Sequence, residues 1–175
     1  MGRTPLNLKK LPYAQTSISI DKSKGDIDKI LRKAGADGIQ WSELYRPERQ
    51  AQIRFINDKK VYKLSIPLHL EDLESQRRNI APIRFDQYVN QRERSMYRAM
   101  YHYIESLIKA QEHGLISFEE AFIGHAGVYL PSGEESTVSE IILTNKLDLT
   151  KALNPAKNES DVVDVTPTTQ RKEKQ

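Results

Sequence analysis

The sequence predicts an α+β fold, a mostly antiparallel sheet with helices packed on one face, in the order β-α-β-β-β-α. Three observations carry this. Short runs alternate polar and apolar residues, as in Gln15-Thr16-Ser17-Ile18-Ser19-Ile20, the period of a half-buried strand. Two longer stretches repeat apolar residues at helical spacing, around Ile27 to Ala34 and Met96 to Ala110. Turn residues separate them, with Asn57-Asp58-Lys59-Lys60 between two strand-like runs and Gly35 and Gly114 after the helical ones.

Residues 1–14 contain Pro5 and Pro12 without periodicity and read as an extended basic arm that includes Lys9 and Lys10. A single domain over 15–145 follows. Its first strand is expected at 15–20. Ser23 is a candidate helix cap, after which Ile27, Ile30, Leu31 and Ala34 fall at i, i+3, i+4 and i+7, and Gly35 ends the helix. Ile39-Gln40-Trp41-Ser42 is a short strand. Residues 52–56 and 61–66 are two more, and Pro67 stops the second. Residues 68–90, with Pro82, read as an irregular connection. Residues 92–113 carry the strongest helical pattern in the chain. Ser117 and Glu120 have capping-box spacing, which predicts a short helix over 118–123. Val128-Tyr129-Leu130 with Pro131-Ser132-Gly133 is a strand and turn, and 137–144 a last helix or strand. These small C-terminal elements precede a polar tail, 146–175, whose composition predicts disorder. No internal repeat is present.

Composition narrows the chemistry. There is no cysteine, which excludes disulfides, thiolate catalysis and cysteine-ligated zinc. Mean hydropathy is −0.65, and no apolar run approaches the ~18 residues of a membrane span. The first residues lack the apolar core of a secretory signal. A cytoplasmic protein without membrane contact is expected. The net charge of +3 is modest but uneven. Residues 1–33 hold eight basic residues against three aspartates, 76–109 hold seven against three acids, and 111–140 hold six glutamates and no Lys or Arg. The two basic stretches suit an anion-facing surface; ordinary solvated charge is the alternative.

Alternation along the strands sends Ile18, Ile20, Ile39, Trp41, Ile53, Phe55, Tyr62, Leu64 and Ile66 toward the helices. It sends Ser17, Ser19, Gln40, Ser42, Gln52, Arg54, Lys63 and Ser65 the other way. One face of an antiparallel sheet is commonly wet; Arg54 and Lys63 on adjacent strands also suit a nucleic-acid backbone. On the long helix, Met96, Ala99, Met100, Tyr103, Leu107 and Ala110 share one side, read as core. Arg94, Tyr97, Arg98, Tyr101 and Glu105 share the opposite side. Exposed Arg and Tyr together grip phosphates and stack bases, and they also dominate protein–protein hot spots. Arg77, Arg78 and Arg84 on the connection are second-tier phosphate contacts.

Signatures of catalysis are absent: there is no phosphate-binding glycine loop, no H-E-x-x-H and no nucleophile elbow. His69, His102, His113 and His125 share no ligating spacing. A metal nuclease would want two converging carboxylates. Asp37 or Glu43 is a candidate for the first, and Asp58-Lys59-Lys60 is the only acid-x-Lys run nearby, but it falls in the expected turn. No metal and no cofactor is expected.

The chain resembles a family of small phage and prophage proteins. The resemblance rests on Ser17-Ile18-Ser19-Ile20, the helix ending at Ala34-Gly35-Ala36, the hairpin from Ile53 to Pro67 and the helix 96–113. It continues through Gly114-Leu115-Ile116-Ser117-Phe118-Glu119-Glu120-Ala121-Phe122-Ile123-Gly124-His125 and Tyr129-Leu130-Pro131-Ser132-Gly133. It covers about 15–145, with a longer 68–90 connection and Ser132 where the family usually has Asp. It implies a viral or mobile-element setting and no particular activity.

The leading expectation is therefore a non-enzymatic nucleic-acid-binding accessory protein of phage or mobile-element replication or recombination, with single-stranded DNA as ligand. Its expected contacts are Arg54, Lys63, Arg94, Tyr97, Arg98 and Tyr101, then Arg77, Arg78 and Arg84, with Lys9 and Lys10 on the arm. The alternative is a protein-interaction module or inhibitor acting on a host or phage protein. A divalent-metal nuclease is the third reading. An open sheet edge also admits a homo-oligomer.

Overall fold

The computed structural model describes residues 12–45, 49–68, 81–130 and 132–144. The fold is α+β. A helix α1 (Ile20–Lys33) leads into three strands, β1 (Gly38–Leu44), β2 (Gln50–Asn57) and β3 (Lys60–Pro67). A long helix α2 (Pro82–Glu112) follows, then α3 (Phe118–Phe122), a 3₁₀ turn at Ile123–His125, β4 (Gly127–Tyr129), β5 (Glu135–Thr137) and α4 (Val138–Leu143). The chain divides into two units, Met1–Glu140 and Ile141–Gln175. Of the second, 141–144 is described: the last turn of α4, where Thr144 Oγ1 donates to the Ile141 carbonyl at 3.4 Å.

The main sheet has the order β1-β2-β3, antiparallel throughout, and β4 and β5 form a separate two-stranded ladder. The register sets Ile39 beside Phe55 and Trp41 beside Ile53 on one face, and Gln40, Arg54 and Lys63 in a row on the other. The apolar face is covered by both helices. Ile27 and Leu31 of α1, Ile104 and Ile108 of α2, and Phe122 of α3 pack on Ile53, Phe55, Tyr62 and Leu64. Each such side chain contributes roughly 1.5–3 kcal/mol by leaving water. Ile20 of α1 and Met96 of α2 pack on one cluster, Asp26 meets Arg98, and Lys33 meets Glu112. So α1 and the second half of α2 run in the same direction.

Two local expectations are corrected, and a third, left open between helix and strand, is resolved. Residues 15–20 form no strand. Ser19 is the N-cap of α1, its Oγ accepting from the Lys22 amide at 3.1 Å, so the helix begins at Ile20 and Ser23 lies inside it. The alternation there serves a cap followed by an amphipathic helix. Residues 12–16 instead lie along α2, where Gln91 Nε2 donates to the carbonyls of Ala14 and Thr16 at 3.0 and 2.9 Å and Ser95 Oγ donates to that of Pro12 at 2.9 Å. Second, α2 begins at Pro82, ten residues before the expected start at 92. Proline breaks a helix interior but suits its first turn, where its missing N–H has no partner to lose. Third, 137–144 is both options in succession: β5 ends at Thr137 and α4 starts at Val138. A second capping box makes the switch, with Glu140 Oε2 accepting from the Thr137 amide at 2.9 Å and Thr137 Oγ1 from the Glu140 amide at 3.2 Å. The capping box expected at Ser117 and Glu120 is present, with bonds of 3.1 and 2.7 Å.

Candidate nucleic-acid interface

The long helix carries the question, because it holds most of the expected contacts. Its inward line runs through Tyr97, Ile104 and Ile108, while Tyr103 is 42 % exposed and Ala99 is exposed. This corrects the expected outward face. The buried line lies about 100° around α2 from the Met96–Met100–Tyr103–Leu107 stripe, and both have helical periodicity. Periodicity alone cannot choose between them. The choice falls to what α2 packs against, namely the sheet through Tyr97, Ile104 and Ile108 and α1 through Arg98 and Tyr101.

Tyr97 is 1 % exposed, clustered with Ala51, Ile66 and Leu68, its ring 6.0 Å from that of Trp41. The Lys24 ammonium lies 5.2 Å from the Tyr97 ring and 5.3 Å from that of Trp41. Burial, with the Glu43 carboxylate adding to it, pushes the Tyr97 hydroxyl up to about 12. It is a core residue and not a base-stacking one. Arg98 Nη1 stands 3.3 Å from Asp26 Oδ2, and its guanidinium lies 4.0 Å over the Tyr101 ring. Asp26 also takes Lys22 at 2.9 Å; that bond first, and then the Lys22 and Arg98 charges, hold its carboxyl below the usual range. Tyr101 Oη donates to Glu105 Oε1 at 3.2 Å, and Glu105 also binds Lys109 and His102 at 3.0 Å each. The Arg and Tyr groups of this half are spent on carboxylates and packing.

The sheet face tells the same story. Arg54 sits directly across from Lys63, and like charges so placed repel. Glu135 of β5 forms an ion pair with Arg54. Lys63 lies in the field of Glu140. Burial works to raise the Glu140 carboxyl, and hydrogen bonds from Thr137 and Ser136 with the Lys63 charge outweigh it. The row is polar but close to neutral.

The first half of α2 differs. Arg84 is exposed, Tyr88 is 49 % exposed and Ile83 is 76 % exposed. Arg84 and Tyr88 are one turn apart. Arg94 is half-buried in a shallow open depression lined also by Ile83, Asp86, Gln87, Asn90 and Gln91. Among the described residues neither Arg84 nor Arg94 takes part in an ion pair. Tyr88 and Ile83 were not anticipated; the available signal was Pro82 read as a helix start. Arg77, Arg78, Lys9 and Lys10 lie outside the described residues.

Among the described residues no group of three or more His, Asp or Glu side chains is arranged to hold a metal. Asp58 and Lys59 form the β2–β3 turn itself, at φ 45° and 62°. His102 stacks on Tyr13 at 4.6 Å, and His125 Nε2 lies 2.8 Å from Tyr103 Oη. No helix among the described residues is long and apolar enough to cross a membrane. No family model, no curated protein and no solved structure matches the chain.

Proposed function

We propose that this chain is a non-enzymatic nucleic-acid-binding protein, an accessory of phage or mobile-element replication or recombination, and that it binds single-stranded DNA along the first half of α2. The observation that supports the reading is the placing of Arg84 and Tyr88 one turn apart on an exposed stretch, with Arg94 two to three turns on and, among the described residues, no ion pair to either arginine. A guanidinium offers two parallel donors to a phosphate. An exposed tyrosine ring offers a stacking platform worth roughly 1–3 kcal/mol per base. The amides of Gln87 and Asn90 line the depression beside Arg94, together with Asp86, and suit base edges or sugar oxygens.

The test is fluorescence anisotropy of a labelled single-stranded oligodeoxynucleotide at several salt concentrations. Binding should weaken with salt at a log–log slope of about −0.7 per phosphate neutralised, so about −1.4 for two arginines. Absence of binding at low salt, or binding indifferent to salt, overturns the reading. Ile83, apolar and 76 % exposed beside Arg94, favours a protein partner as the second reading. A Mg²⁺-dependent shortening of the oligonucleotide, lost in Asp58→Ala, would place the protein among nucleases instead.

A further inference from the structure

We infer that Tyr13, stacked on His102, is a second base-stacking platform for the same single strand, which runs along one stripe of α2 from Arg84 and Tyr88 onto the 12–16 segment. The inference rests on the nucleic-acid reading and adds to it a contact residue outside α2 and a length for the bound strand.

The first observation is the stripe. Arg84, Tyr88, Gln91, Ser95 and His102 fall at i, i+4, i+7, i+11 and i+18, one line along a helix of 3.6 residues per turn. Arg84 and Tyr88 open it, and both are exposed. The other three carry the 12–16 segment. Gln91 holds the Ala14 and Thr16 carbonyls, Ser95 holds that of Pro12, and His102 meets the Tyr13 ring. The segment therefore lies on the line that Arg84 and Tyr88 begin, directly beyond them.

The second observation is how Tyr13 is held. Its ring stacks on His102 with centroids 4.6 Å apart and planes 16° from parallel. His102 is itself fixed: Nδ1 lies 3.0 Å from Glu105 Oε2, and its ring meets that of Tyr101 at 4.9 Å in a T-shaped contact. Tyr13 has φ 61°, a left-handed conformation that residues with a side chain avoid. The turn is closed by the Thr16 amide, which donates to the Tyr13 carbonyl at 2.9 Å. A ring recruited only for packing would be covered, yet Tyr13 is 41 % exposed. With one face on the imidazole, that exposure belongs to the opposite face and the ring edge. Unfavourable backbone kept in order to hold an exposed aromatic ring still is the mark of a working side chain.

A base laid on the outer face of Tyr13 extends a stack that already exists. Every base has a π face, so this contact is tolerant of sequence. The ring is ordered before the ligand arrives, which lowers the entropic cost of binding. Tyr88 and His102 stand at i and i+14, about 21 Å apart along the axis at 1.5 Å per residue. A stacked strand rises 3.4 Å per nucleotide, so about six nucleotides link the two platforms.

Fluorescence anisotropy of the full chain with labelled oligothymidylates of 3 to 12 nucleotides tests this. Wild-type affinity should step up as the length passes about six nucleotides. Tyr13→Ala should lose the step and bind the 12-mer at least about fivefold more weakly, the low end for one stacked base. Its salt slope should match that of the wild type, because stacking neutralises no phosphate. Tyr13→Phe, which keeps the ring, should bind as the wild type does. Wild-type affinity in Tyr13→Ala overturns the inference while leaving the nucleic-acid reading in place. So does an equal loss in Tyr13→Phe, or a loss that comes with a shallower salt slope. A wild-type chain that binds none of the oligonucleotides overturns the nucleic-acid reading and this inference with it.

Discussion

The two halves of α2 have the same kind of composition and opposite fates. The second half holds Tyr97, Arg98 and Tyr101; the first holds Arg84, Tyr88 and Arg94. In the second half α1 runs alongside and the sheet lies beneath, so each group has a neighbour. Tyr97 is core, Arg98 has Asp26, and Tyr101 has Glu105. In the first half the flanking chain is the 12–16 segment, held by Gln91 and Ser95 through main-chain carbonyls. That contact satisfies amide and hydroxyl donors, and among the described residues Arg84 and Arg94 take part in no ion pair. Residue type alone does not make a binding surface. What matters is whether the fold supplies an internal partner first.

The largest effect expected from breaking this contrast is at Tyr97. Tyr97→Ala should cost about 3–5 kcal/mol of stability, because it empties a packed site, as read from urea denaturation. Tyr88→Ala should change stability by less than about 0.5 kcal/mol while weakening oligonucleotide binding by roughly 1–3 kcal/mol if one base stacks there. Equal stability losses at the two tyrosines would erase the distinction.

Next in size is the hairpin. Asp58 and Lys59 both take positive φ, as a two-residue type I′ turn requires, and Lys59 does so without the ease of glycine. Lys59→Gly should stabilise by about 1 kcal/mol, seen as a higher denaturation midpoint with an unchanged slope. It should leave both halves of α2 as they are.

The smallest effect is in pH. Burial lowers the His125 imidazole, partly opposed by the Lys63 carbonyl. The unfolded chain therefore binds the proton more readily than the folded one. This contribution to stability is present above the ordinary value of about 6.5 and is lost as pH falls through the lowered value. An NMR titration should place the His125 midpoint below that of a histidine in the urea-unfolded chain. A midpoint at or above it contradicts the burial argument.

How much of this was legible beforehand follows from which forces are local. The β2–β3 hairpin, the inward set Ile53, Phe55, Tyr62, Leu64 and Ile66, and the Ser117–Glu120 box were readable because alternation and capping act within a few residues. The start of α2 was hidden because Pro82 signals a break or a beginning with the same ring. The facing of Tyr97 was hidden because two stripes of equal period compete, and the winner is set by α1 and the sheet, distant in sequence. The neutralisation of Arg54 by Glu135 joins residues 81 apart and leaves no local trace.

The most direct measurement compares two double variants of α2 and the sheet in the same oligonucleotide titration. Arg84→Gln with Arg94→Gln should reduce the salt slope by about 1.4, whereas Arg54→Gln with Arg98→Gln should leave it unchanged. The reverse pattern, or equal loss from both, would contradict the assignment of binding to the first half of α2.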